Sequence, residues 1–125
     1  MSFIKFMDQN PTAVEKDIKD DILEGDPKQY SWLMYNGHQE TIRSGIWDST
    51  AGKFTAVMDG IVEFCHILEG GATIKTGDGN SYDVKAGDAF VMNAGLETEW
   101  TVDDYIKKHF VIISVENLPK HEGSK

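Results

Sequence analysis

From residue 28 onward the chain alternates between short apolar runs and turn residues, and this texture continues to Glu116. The runs are rich in Tyr, Trp, Ile, Val and Phe, which suit a pleated, half-buried surface. They predict strands at Tyr30–Tyr35, Thr41–Trp47, Lys53–Met58, Val62–Leu68, Ala72–Thr76, Ser81–Val84, Ala89–Met92, Glu97–Val102 and Ile106–Val115. Turns are expected at Asn36-Gly37, Ala51-Gly52, Asp59-Gly60, Gly77 to Asn80, Ala86 to Asp88 and Ala94-Gly95. Asn-Gly and Asp-Gly pairs accept the positive φ that tight hairpins demand. Closely spaced strands with turn signals throughout predict an all-β sandwich or barrel.

The N-terminal part has a different texture. Thr12 and Glu15 have capping-box spacing, and Val14, Ile18 and Ile22 recur every four residues. That pattern predicts a short helix over Thr12–Leu23. The same segment reads equally well as an acidic loop draped over the barrel. Gly25-Asp26-Pro27 ends either structure. Residues 1–27 are therefore expected to form an arm, 28–117 the barrel and 118–125 a polar, frayed tail. Within the arm, Phe3, Ile4 and Phe6 suggest an edge strand or a surface that packs on a partner.

Length and charge narrow the function. With 125 residues the chain is expected to be one domain. Its 21 acidic and 12 basic residues give a net charge of −9, which repels nucleic-acid phosphates and anionic membranes. The same balance weighs against an anionic ligand unless a local Lys or Arg reverses the field. Cys65 is the single cysteine, so no intrachain disulfide can form. No secretory signal and no membrane-spanning run is visible, and a cytoplasmic location is expected.

The stretch Glu63 to Gly95 carries the most information. It begins Glu63-Phe64-Cys65-His66-Ile67-Leu68-Glu69-Gly70, passes Gly77-Asp78-Gly79, and ends Ala86-Gly87-Asp88-Ala89-Phe90-Val91 with Ala94-Gly95. With Glu24 to Pro27, Gly45-Ile46-Trp47, Ala51 to Phe54, Trp100 and Lys107 to Phe110, it resembles a small single-domain cupin. The resemblance is to the ureidoglycine-aminohydrolase-like and ethanolamine-utilisation Q-like group. It implies a jelly-roll β-barrel and a homodimer. An outer segment such as Ser2–Met7 would pair across the two-fold axis.

The general cupin pattern also implies three histidine ligands, and this chain departs from it. Counting back from Glu63 gives Ala56 and Met58, or Val57 and Asp59, where two histidines would stand. Counting on from Gly87 gives Asn93, Gly95 and Thr98, the last where the third histidine would stand. A transition metal needs several imidazole or thiolate donors converging on one point. No metal and no other cofactor is expected here.

Strand alternation puts Glu63, Cys65 and Ile67 on one face and His66 on the other. The family position of Glu63 implies that its face is the interior. A buried carboxylate is costly without a partner. It either shifts its pKa and acts as an acid or base, or pairs with a cation. The resemblance nominates Lys108 as that cation, in either a ligand-binding or a purely structural pair. Thr98 and Trp100 share a face, and with Trp47 and Met58 they are candidates to line a ligand cavity or to fill a core. Cys65 reads as a buried small hydrophobe. His38 is expected to be exposed beside its turn, and His121 lies in the tail. Of Lys108 and His109, only one can face the cavity.

Three functions remain. One is a small-molecule-binding cupin without a His-ligated metal, with Glu63, Lys108, Trp100, Trp47, Thr98 and Met58 at the ligand and Glu63 as the candidate catalytic group. Another is a metal-dependent aminohydrolase- or isomerase-like enzyme with a rearranged site. The last is a non-catalytic dimeric assembly module.

Overall fold

The computed structural model describes residues 2–115. The tail expected over 118–125, with His121, lies outside the described residues. A single 3-10 turn at Phe6–Asp8 precedes eight strands. They are β1 (Val14–Glu15), β2 (Ile22–Gly25), β3 (Gln29–Gly37), β4 (Ile42–Val57), β5 (Ile61–Thr76), β6 (Ser81–Lys85), β7 (Ala89–Met92) and β8 (Glu97–Ser114). All belong to one antiparallel sheet of order β1-β3-β4-β8-β5-β6, with β2 on β4 and β7 on β5. Among the described residues no helix is long and apolar enough to cross a membrane.

Three strands are longer than the sequence suggests. Thr41–Trp47 and Lys53–Met58 fall in the single strand β4, and Ala51-Gly52 is a bulge rather than a turn. The pairs expected at 62–68 and 72–76, and at 97–102 and 106–115, fuse in the same way into β5 and β8. Register shifts between β5 and β8 fall at Ile67/Glu69 and Gly70/Thr73. A bulge bends its strand and raises the local twist. The halves of each long strand therefore lie in different layers. Trp47 and Phe54, both on β4, meet with ring centroids 6.1 Å apart. Gly70 sits at such a bend with φ 68°, and a Cβ there would strike the Tyr105 carbonyl.

The core fills the space between the layers. It is built from Trp47, Phe54, Met58, Cys65, Ile67, Ile74, Met92, Trp100, Val102, Ile106 and Phe110. Alternation is clean on β5, where Cys65 is 0% exposed and the neighbouring Phe64 is 42% exposed.

The arm differs from the helical reading. Thr12–Leu23 holds no helix: two short strands, with Val14 paired to Ser31 and Ile22 to Phe54, flank a turn at 19–21 closed by the Asp21 N–H on the Ile18 carbonyl. β-branched residues at 14, 18 and 22 lose little in an extended chain, and pairing with two sheet strands outweighs a marginal helix. Ser2–Met7 is not a strand either. Its Phe6 ends in the 3-10 turn and packs edge-on against His109 at 5.4 Å. The β3–β4 turn lies two residues later than expected, over His38, Gln39 and Glu40, all with positive φ and all exposed.

Candidate functional site

A cavity of about 620 Å³ opens inside the barrel, within the range of small-ligand pockets. Glu63, Lys108, Trp47, Trp100 and Met58 all line it. Three strands bring the polar pair together. Glu63 of β5 lies beside Ile112 of β8, and Lys108 of β8 lies between Trp47 of β4 and Ile67 of β5. Lys108 faces inward with the other even-numbered residues of β8 on either side of the exposed Asp103-Asp104 stretch. Thr98, Trp100, Val102, Ile106, Lys108 and Phe110 are all buried. His109 therefore faces out.

At the base of the cavity, Lys108 Nζ donates to Glu63 Oε2 at 2.8 Å. Both side chains are less than a tenth exposed. The ammonium also lies 4.5 Å from the Trp47 ring centroid and 4.9 Å from that of Trp100. Two indole faces thus replace water around the cation. Burial pulls the Lys108 pKa down, but the Glu63 carboxylate and the Cys65 sulfur push it up, and it stands above its ordinary 10.5. Lys108 therefore keeps its proton in neutral solution and bridges to Glu63. Cys65 Sγ donates to the same Glu63 oxygen at 3.4 Å. Burial, helped by Glu63 and opposed by Lys108, pushes the Cys65 thiol up to about 12. It is a thiol and not a thiolate, so it is a poor nucleophile.

The aromatic wall is continuous. Trp47 meets Trp100 edge to face at 5.8 Å, and Phe54 stacks on Trp100 at 6.0 Å. Thr98 is buried but sits behind this wall and does not line the cavity. Its hydroxyl donates to the Ala56 carbonyl at 2.6 Å and accepts from Trp100 Nε1 at 3.0 Å. It fixes the indole's orientation.

The sequence reading missed Gln29, Arg43 and Phe54, which also line the cavity. Gln29 is 3% exposed, and its Oε1 accepts from Trp47 Nε1 at 3.3 Å. Nothing in the sequence marks Gln29. Arg43 was legible, since it shares the parity of Gly45 and Trp47 on one strand.

The residues do not form a cupin metal centre. Among the described residues no three His, Cys, Asp or Glu side chains gather at one point. At the base of the cavity Glu63 is already bonded to Lys108, and the other positions of the family's ligand pattern hold Ala56 and Met58, or Val57 and Asp59, with Thr98, none of them a histidine. The two histidines of β5 and β8, His66 and His109, pair on the outer face with ring centroids 6.3 Å apart. They lie on the opposite side of the sheet from Glu63.

The comparisons with known proteins bear on the fold and the family. No curated protein sequence matches the chain. A protein of unknown function from Pseudomonas syringae pv. tomato superposes with a TM-score of 0.71 at 22% identity, over 81% of this chain and 44% of that one. The chain thus spans less than half the length of that structure. The Clostridium difficile EutQ protein superposes with a TM-score of 0.62 at 16% identity, over 78% of this chain and 73% of that one. A putative ethanolamine utilization protein Q from Salmonella typhimurium gives 0.61 at 16%, over 71% and 72% of the two chains. At these identities the likeness concerns the fold. The family model for the EutQ-like cupin domain matches residues 36–110, more than half the sequence, with β4, β5 and most of β8, so the chain belongs to the EutQ-like cupin family.

Proposed function

We propose that this cupin binds a small polar molecule in its barrel without a His-ligated metal. The observation that carries this reading is the Lys108–Glu63 bridge, held between two tryptophans at the base of a cavity of about 620 Å³. A polar pair under an aromatic wall gives a ligand an oriented dipole to bond and a flat surface to stack on. A ligand that binds only the folded chain adds about 2.7 kcal/mol of stability at a hundred times its Kd. A thermal-shift screen of small polar molecules, followed by crystallography of the hits, tests the reading. Density in contact with Lys108 is the expected result. Stoichiometric manganese, iron, nickel or zinc in protein purified without chelators overturns it.

The same fold supports a homodimer. Phe64, Val91 and Ile113 are each at least 40% exposed on the outer faces of β5, β7 and β8. Phe64 lies directly beside Val91 and Val111 across the strands. Between two chains of net charge −9 a face without carboxylates meets the least repulsion, and Phe64, Val91 and Ile113 are apolar. Sedimentation should show a dimer that Phe64→Glu converts to monomer. A monomer at all concentrations sinks the dimer.

A further inference from the structure

The cavity is positive inside an acidic protein. Its lining holds three cationic side chains, Lys16, Arg43 and Lys108, and two carboxylates, Asp21 and Glu63. Lys108 and Glu63 neutralise each other through their 2.8 Å bridge. Lys16 and Arg43 form no salt bridge among the described residues. Arg43 of β4, Ile112 of β8 and Glu63 of β5 lie side by side across three adjacent strands. At a strand spacing of about 4.8 Å, Arg43 starts roughly 10 Å from Glu63 on the same inner face. The guanidinium is thus a second charge over the same cavity, and it is not committed to the pair at the base.

Gln29 supplies an independent observation. Its Oε1 is taken by Trp47, but its Nε2 has no hydrogen-bond partner, although the residue is 3% exposed. A buried amide N–H₂ without an acceptor loses its hydration with nothing in return. Native interiors leave few such groups, and those that persist call for an explanation. This one lines the cavity, next to Trp47 and next to Lys16, whose backbone N–H donates to the Gln29 carbonyl at 2.9 Å. The missing partner is an acceptor. The cations around the same space favour one that is negatively charged.

We propose that the barrel selects small organic anions, with the Gln29 amide and the Arg43 guanidinium receiving the carboxylate and the Trp47–Trp100 wall taking the body of the molecule. The ligand class is a small carboxylic acid with an apolar or planar body. Lys16, at the exposed arm, raises the local concentration of such anions and does not fix their geometry. The inference rests on the reading of the barrel as a ligand pocket and adds its charge preference.

Titration of intrinsic tryptophan fluorescence tests it, because Trp47 and Trp100 both line the cavity. The probes are benzoate and isobutyrate, their neutral amides benzamide and isobutyramide, and the cation benzylammonium. The acids should bind at least about tenfold more tightly than their amides, a difference of about 1.4 kcal/mol. Benzylammonium should bind weakest. Arg43→Met should remove the preference for the acids over the amides, and Arg43→Lys should restore part of it. Gln29→Leu should weaken the acids by a smaller factor. Circular dichroism of each variant establishes that the loss is not unfolding, and Arg43→Lys serves as the folded comparison if Arg43→Met is unstable. If the amides bind as well as the acids, or if Arg43→Met leaves the ratio unchanged, the anion preference is wrong and the pocket reading stands. If no probe of any charge binds, both fall.

Discussion

Strands β5 and β8 carry two pairs of ionisable residues that face opposite ways. Glu63 and Lys108 point into the barrel, and His66 and His109 point out, although His109 follows Lys108 directly in the chain. The inner pair is buried at the cavity and bonded at 2.8 Å, with indole faces on either side. The outer pair is half-buried, with Phe6 against His109 and no bonded partner for either ring among the described residues. By residue type alone the histidines are the better metal donors. By position they are on the wrong side of the sheet. In a strand, one residue of parity decides whether a polar side chain meets a ligand or the solvent.

The largest test of this contrast is Lys108→Met. It leaves Glu63 buried beside two indoles with no cation, and breaking a buried pair from one side costs about 3–5 kcal/mol. Urea unfolding at neutral pH should show a loss of that size. Adding Glu63→Gln to Lys108→Met should recover most of it, because an uncharged pair of similar volume needs no bridge. A loss under about 1 kcal/mol for the single variant would mean that the pair is solvated, as surface bridges are.

Alkaline pH gives the next effect. The folded chain holds the Cys65 proton up to about 12 against an ordinary 9.0, and burial and Asp48 push Tyr105 up as well. Lys108 also stands above its ordinary 10.5. A raised folded pKa stabilises fully below the unfolded value, and the contribution disappears as pH rises through the folded value. Stability should therefore begin to fall at about pH 9, where the unfolded Cys65 starts to ionise, and continue beyond 10.5. Each unit of difference corresponds to about 1.4 kcal/mol. Cys65→Ala should move the onset upward, and unchanged onset in a pH series of urea melts would refute the assignment to Cys65.

The outer pair should respond least and in the opposite direction. Burial first, then His66 and Lys107, lowers the His109 pKa below its ordinary 6.5. A lowered histidine contributes stability above 6.5, and that contribution is lost as pH falls through the folded value. Between pH 7 and 5 the wild type should lose more stability than His109→Gln, by under about 1 kcal/mol. Equal losses in a pair of thermal melts would show that His109 is no part of the acid response.

Much of this was legible in the chain. The strands and most turns follow from the alternation of β-branched and aromatic residues with Gly and Asp. The inward set Glu63, Cys65, Ile67 follows from parity once the position of Glu63 is fixed. The choice between Lys108 and His109 was also within reach, since Trp100, Val102, Ile106 and Phe110 share the parity of Lys108 if β8 is one strand. What hid this was the polar break at 103–105 between two expected strands, which is instead part of one continuous strand, with Asp103 and Asp104 exposed. The arm was ambiguous for a related reason. Val14, Ile18 and Ile22 satisfy a helical spacing, but sheet edges at β3 and β4 offered backbone partners that an isolated segment lacks.

The sequence by itself determined the all-β class, the cupin frame around Glu63 to Gly95, and the absence of histidine at the family's ligand positions. Those are local matters of periodicity, turn chemistry and residue identity. The tertiary structure alone decided that Lys108 meets Glu63 from 45 residues away, that Thr98 serves the Trp100 indole and not the cavity, and that Gln29 leaves a buried donor without an acceptor. Each depends on how long strands bend at their bulges and stack one layer on another. No local pattern encodes that geometry, because it is set by partners far apart in the chain.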